Sequence, residues 1–166
     1  GMVLSSVPWI VYFGANGAIG DLIDLAESRH DDGTDVFTDD EKLRLYEKQI
    51  AMFALYFDDG RYLYHAQYPK IAHLASADIY AKRGDREQTL SHLEKAAEFA
   101  VEFVTMKEDA VLTSLLSRGI PDGGAWQEEH NQAQWMLETC APPRYDFVRG
   151  DERFRHLVEK LKLYAK

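Results

Sequence analysis

The chain has 166 residues, with 28 acidic against 19 basic side chains and a net charge of −9. Its length suits one domain with a substantial core, and its 46% apolar content excludes a disordered chain. A single cysteine excludes an intrachain disulfide and a multi-cysteine zinc site, and it fits a reducing, cytoplasmic location. The acidic balance argues against this chain alone gripping the phosphate backbone of DNA.

The N-terminal residues 2–29 predict two short helices that face each other. Gly1 ahead of Met2 is expected to be a cloning remnant. Residues 2–13 are apolar, but they are too short to span a bilayer, and no basic segment precedes them as in a signal peptide. A Gly-Ala-Asn-Gly turn follows at 14–17, and apolar residues then recur at helical spacing: Ile19, Leu22, Ile23 and Ala26.

The next helix has a clear start. Thr38 and Glu41 have the spacing of a capping box, in which each side chain bonds to the other residue's amide. Gly60 is a suitable stop for this helix. Between them, apolar residues three and four apart define one buried face: Leu43, Tyr46, Ile50, Phe53 and Phe57.

Residues 61–83 and the stretch after Asp85 predict a pair of helices joined by a tight turn. Pro69 either kinks the first helix or opens a new one in its first turn. Gly84 permits the chain reversal, and Asp85 is the expected cap of the second helix. The buried stripe of that second helix is predicted to comprise Leu90, Leu93, Ala97, Ala100 and Val104.

The last third of the chain is less regular. A short helix is predicted at 110–116, a loop at 118–124 and a longer helix at 126–139, where Trp126 and Ala133 face inward. Two prolines then break the chain, and Asp151 is expected to cap a final helix. Because no stretch alternates with the period of a strand, the prediction is an all-α chain of about seven or eight helices.

The segment 70–103 has the character of a helical repeat unit: a helix, a Gly-Asp turn and a second helix. Small residues stand where two helices would cross closely, and larger ones fill the return face. This unit resembles one tetratricopeptide repeat, and 2–29 resembles a degenerate copy with its turn near Gly17. The positions that define the repeat are Ala77, Tyr80, Gly84, Asp85, Leu93 and Ala96.

Beyond single repeats, an ordered set of segments covers about three quarters of the chain. The segments are Tyr62–His65, Ala77–Asp85, His92–Glu98, Thr113–Leu116 and Arg144–Phe154. Their order resembles the C-terminal region of bacterial regulators of the xenobiotic-response-element (XRE) helix-turn-helix family that carry tetratricopeptide-like helices. The resemblance implies an α-α superhelix of antiparallel pairs forming one domain over 1–166.

The resemblance also implies a function. The chain would be the regulatory, protein-binding and oligomerisation half of a transcription factor, expected to form a homodimer and to reach DNA only through a domain that lies outside this chain. The alternative is a stand-alone adaptor that binds a peptide or protein and has no connection with DNA. Neither reading requires a cofactor or a membrane, and the sequence lacks the paired acid and base or activated nucleophile that would predict an enzyme.

An aromatic run is the best candidate for a partner groove. Tyrosine offers a flat apolar ring with a polar tip, which suits peptide recognition. The alternative is that these rings pack between helices. The predicted groove residues are Tyr62, Tyr64, His65, Tyr68 and His73. The histidine spacings do not predict a metal site, and Cys140 is expected to be a packed helix-end residue rather than a reactive thiol.

Overall fold

The computed structural model describes residues 7–122 and 131–166, with the side chains of 7–13, 15 and 16 left aside. Within those residues the regular structure is helical, apart from two isolated β-bridges, so the all-α prediction is confirmed. The α-helices are α1 (Val7–Ala26), α2 (Asp39–Tyr56), α3 (Gln67–Lys82), α4 (Arg86–Val104), α5 (Gln132–Thr139) and α6 (Glu152–Lys162). Two short 3-10 helices, Leu63–Ala66 and Pro143–Val148, precede α3 and α6.

The prediction of two short helices in 2–29 is wrong for the described part, because α1 runs unbroken through the expected turn at Gly14 and Gly17. Each glycine inside a helix costs about 1 kcal/mol relative to alanine, so contacts with other helices must offset that cost. The buried side-chain amide of Gln49 on α2 donates to the carbonyl oxygens of Ile19 and Gly20, at 3.1 and 3.4 Å. The Tyr68 ring also packs on Gly20, in space that a larger residue would fill.

The capping box predicted for α2 is confirmed. The Thr38 hydroxyl accepts from the Glu41 amide at 3.3 Å, and the Glu41 carboxylate accepts from the Thr38 amide at 2.8 Å. The buried face of α2 includes Leu43, Tyr46, Phe53 and Tyr56. The helix ends at Tyr56, and Gly60 lies in the turn that follows it, at φ +72°.

Pro69 is the third residue of α3, so the second of its two predicted readings is confirmed. The first amides of a helix have no intrahelical acceptor, and a proline there sacrifices no hydrogen bond. The chain enters α3 through the 3-10 helix Leu63–Ala66 instead of continuing as one long helix from residue 61.

Helices α3 and α4 form the predicted pair, joined by a tight turn and packed along their length. Gly84 has φ +70°, a conformation that a residue with a Cβ rarely adopts, and its amide donates to the Ala81 carbonyl. The Asp85 side chain accepts from the Gln88 amide at 3.1 Å and so caps α4. The remaining repeat positions lie in the contact: Ala77, Leu93 and Ala96 are buried, and Tyr80 stacks on His92.

The short helix predicted at 110–116 is wrong. This segment instead pairs with the chain that follows it: the Leu112 amide donates to the Ile120 carbonyl at 2.9 Å, and Val111 forms a β-bridge with Pro121. Gly119 makes the reversal possible at φ +82°. Leu112 and Ile120, on the two paired segments, are both buried in the aromatic core.

The C-terminal prediction is confirmed in part. Helix α5 begins only at Gln132, because Asn131 is extended and caps it, so the predicted start at 126 is wrong. Ala133 and Met136 are buried, while Trp126 lies outside the described residues. Asp151 caps α6 by accepting from the Arg153 amide at 2.8 Å. Helices α4, α5 and α6 share one core.

Candidate functional site

The tyrosines of the predicted groove lie mainly inside the molecule. Tyr62 and His65 are buried, and Tyr64 and Tyr68 are half-buried. Their rings contact aromatic side chains of α2 and α4: Tyr68 stacks on Phe53 at a centroid distance of 5.4 Å, and Tyr62 meets Phe99 edge-on at 5.1 Å. The structure therefore brings these residues together as packing between helices, while Tyr64 and Tyr68 keep part of their surface exposed.

His73, the fifth predicted groove residue, is buried and pairs with the half-buried His92. Its Nδ1 lies 2.9 Å from Nδ1 of His92, so one ring donates while the other accepts. Burial is the main cause that lowers the pKa of His73, to about 3, and it lowers the pKa of His92 as well. Both rings are therefore neutral at pH 7 and join α3 to α4.

Two carboxylates hold the entry to α3. The Glu102 carboxylate on α4 accepts from the amides of Tyr62 and Leu63 at 2.6 and 2.9 Å. The Asp122 carboxylate accepts from the Tyr64 amide and contacts Nδ1 of His65, each at 3.2 Å. These bonds fix a backbone that is unfavourable on its own, because Leu63 has φ +49°.

A separate cleft of about 460 Å³ opens on another face of α3. Its floor is apolar and comes mainly from α3: Ile71, Leu74, Ala75 and Ile79. One wall is formed by the end of α1 and the start of α2, and the opposite wall by α5 and the 3-10 helix before α6. Ile71 and Trp135 keep 37% and 42% of their surfaces exposed, which offers apolar area to a bound molecule.

A tyrosine, a carboxylate and a cation stiffen the α1–α2 wall of the cleft. The Lys42 ammonium is buried and lies 3.0 Å from the Asp35 carboxylate and 3.6 Å from that of Glu27. The Tyr46 hydroxyl donates to Glu27. Burial is the main cause that raises the pKa of Tyr46, and the bond to Glu27 is the second cause. The hydroxyl therefore keeps its proton at neutral pH.

The opposite wall repeats that combination. The Asp78 carboxylate on α3 accepts from the Tyr145 hydroxyl, and the same oxygen lies 2.7 Å from Nε of Arg144. On the nearby helix α5, the Trp135 ring lies 4.5 Å from the Lys70 ammonium, which is itself buried. Both walls are therefore held by bonds between elements, so the cleft is formed in advance of any ligand.

Sequence reasoning missed this cleft. Ile71 gives no separate signal, because it stands three residues before the buried Leu74, at the spacing of a single helix face. Trp135 is more than 60 residues away in the chain, and no local pattern links it to α3. The cleft depends on contacts between distant segments, and the spacing of apolar residues along the sequence does not reveal such contacts.

Among the described residues, no three His, Cys, Asp or Glu side chains are placed to hold a metal ion. Cys140 is buried, and burial raises the pKa of its thiol to about 12. In the part of the chain that is described, no helix combines the length and apolar character needed to cross a bilayer.

Comparison of the chain with protein-family models, with curated proteins and with solved structures gave no match.

Proposed function

We propose that this chain is a regulatory binding domain whose cleft along α3 captures a peptide or an exposed segment of a partner protein. The observation that carries the proposal is the cleft itself, which combines an apolar floor with walls fixed by ion pairs and tyrosine hydroxyls. Preformed clefts of this composition suit ligand binding because little ordering is needed when the ligand arrives. A binding role, rather than catalysis, is the function we assign to it.

We further propose that the helices form tetratricopeptide-like pairs. The α3–α4 pair supports this arrangement, because its small crossing residue Ala77 and its Gly84 turn stand where a repeat of this kind requires them. The cleft beside this pair is lined by residues of α1, α2, α3 and α5. Helical repeats commonly bind partners on a concave face.

The ordered segments that resemble XRE-family regulators support a place in transcription control. In this proposal, a domain outside this chain contacts DNA, and the chain acts in the cytoplasm. A ligand that binds one arrangement of the helices more tightly would favour that arrangement and so alter DNA binding. Exposed leucines support homodimerisation as the means of transmission, because they offer apolar surface to a second copy: Leu115 and Leu116.

Selection from a random peptide library displayed on phage tests the binding function. The wild-type chain should enrich peptides that do not bind the Ile71→Gln variant, since that change makes the cleft floor polar without adding charge. Leu55→Gln is the matched control: it also replaces an exposed apolar helix residue, but it lies outside the cleft. Equal binding to both variants would contradict the cleft as the site.

The coding sequence upstream of Met2 tests the regulatory part of the proposal. An in-frame helix-turn-helix segment with a basic recognition helix would support it. An in-frame stop codon followed by a ribosome-binding site would favour the stand-alone adaptor instead.

A further inference from the structure

The charge around the cleft is unevenly distributed. Residues 21–41 carry nine carboxylates against a single arginine, in a chain whose net charge is −9. This segment forms the second half of α1, the loop after it and the start of α2, and it reaches one end of the cleft. Two of these carboxylates, Glu27 and Asp39, line the cleft directly.

Three of the cations around the cleft are already paired. The Lys42 ammonium contacts Asp35 and Glu27, and the Arg144 guanidinium contacts Asp78. Arg83, beyond the end of α3, lies 2.8 Å from Asp40. A negatively charged ligand would therefore have to compete with the protein's own carboxylates for these three cations. Lys82 is a further cation in the lining, at the end of α3.

Asp78 is the best-placed acceptor in the cleft. Tyr145 and Arg144 both engage its Oδ1 atom, which fixes the carboxylate and leaves Oδ2 able to accept from a ligand. The side chain remains 37% exposed. It lies on α3 within one turn of the apolar residues Leu74 and Ala75, so a cation bound here would have apolar surface beside it.

We propose that the occupant of the cleft is a cationic peptide segment that interleaves lysine or arginine with apolar residues. Its apolar side chains would cover Ile71 and Ala75, and its cations would pair with Asp78 and with the acidic end at Asp39. The excess of carboxylates would also speed association with a basic partner, and salt would weaken that effect. This inference rests on the proposed binding function and specifies the chemistry of the partner.

The charge of the selected peptides tests this inference. Peptides that bind wild-type but not Ile71→Gln should be rich in lysine and arginine, and binding should weaken as salt is raised. If neutral or acidic peptides dominate that set, the cationic partner is ruled out while the cleft remains the binding site. If no peptides depend on Ile71, the binding function itself has failed.

Single-charge variants then locate the pairing. Asp78→Asn keeps an acceptor oxygen for Tyr145, and it should raise the dissociation constant of a selected basic peptide roughly two- to fivefold. Asp109→Asn removes the same charge from an exposed loop outside the cleft and should leave binding unchanged. If Asp78→Asn lowers the unfolding midpoint, Asp39→Asn supplies the same test at the other wall. Equal affinity for the cleft variant and the Asp109 control overturns the proposal.

Discussion

At the residue scale, Leu63 is the position whose backbone most depends on its surroundings. Its φ of +49° costs a residue with a side chain roughly 1–2 kcal/mol. Glu102 offsets this cost by accepting from the amides of Tyr62 and Leu63. Burial nevertheless raises the pKa of Glu102, so the carboxylate's negative charge is itself unfavourable there.

We expect Glu102→Ala to lower the free energy of unfolding by about 1–3 kcal/mol, because two partly buried amides lose their acceptor. Glu102→Gln should cost less, since the amide oxygen can still accept and no charge is buried. Urea denaturation measures both values. A Gln variant as unstable as the Ala variant would show that the charge, not the acceptor, matters.

The histidine pair predicts a pH dependence of stability. The unfolded chain protonates His73 near pH 6.5, but burial in the fold lowers its pKa to about 3. The unfolded state therefore binds more protons between these values, and stability should fall as pH drops below about 6.5. In this window, His73→Phe should flatten the dependence of the unfolding free energy on pH, although His92 keeps part of it.

Exposed His156 on α6 supplies the control for that measurement. His156→Gln removes a histidine from solvent and should leave the wild-type slope unchanged. If the unfolding free energy of His73→Phe kept the full wild-type dependence on pH, His73 would not be the buried, neutral residue described above.

Cys140 should be chemically inert in the native state. Its thiol is buried, with a pKa raised to about 12, so almost no thiolate is present at neutral pH. A thiol reagent such as DTNB should react slowly with native protein and rapidly in denaturant. Fast native reaction would show that the end of α5 opens readily.

At the element scale, α1 shows how tertiary contacts override local signals. Gly17 is exposed, and nothing among the described residues lies within 4 Å of a Cβ built on it. Gly17→Ala should therefore stabilise the protein by about 0.5–1 kcal/mol through helix propensity. A Cβ on Gly20 would lie 3.3 Å from the Tyr68 ring, so Gly20→Ala should gain less or lose stability. Thermal unfolding of the two variants checks this order, and two equal gains would contradict the packing of α1 on α3.

The sequence predicted those element boundaries that depend on neighbouring residues. The Thr38 box, the Gly84 turn and the Asp85 and Asp151 caps are local bonds, and each is confirmed. The unbroken course of α1 and the pairing of segment 110–116 depend on distant partners, namely Gln49 and Tyr68 beside Gly20 and the aromatic core around Leu112. Local patterns do not contain those partners, so both segments were predicted wrongly.

At the scale of the whole molecule, the aromatic residues and the cleft have different roles. Tyrosines suit both binding and packing, so the sequence alone allows the aromatic run to be either a groove or a packed cluster. In the folded chain the run packs α2, α3 and α4 together, and the open surface lies on the face of α3 that carries Ile71 and Asp78. Most of the net charge of −9 comes from residues 21–41, which reach one end of that cleft.

Amide NMR of the protein titrated with a selected basic peptide identifies the residues that the peptide contacts. The largest shifts should fall on residues that line the cleft, including Ile71, Ala75, Asp78 and Trp135. Leu55 and Asp109 should hardly move. Largest shifts at Tyr62, Tyr64 and His65, with the cleft residues unchanged, would contradict the cleft and place binding at the aromatic run instead.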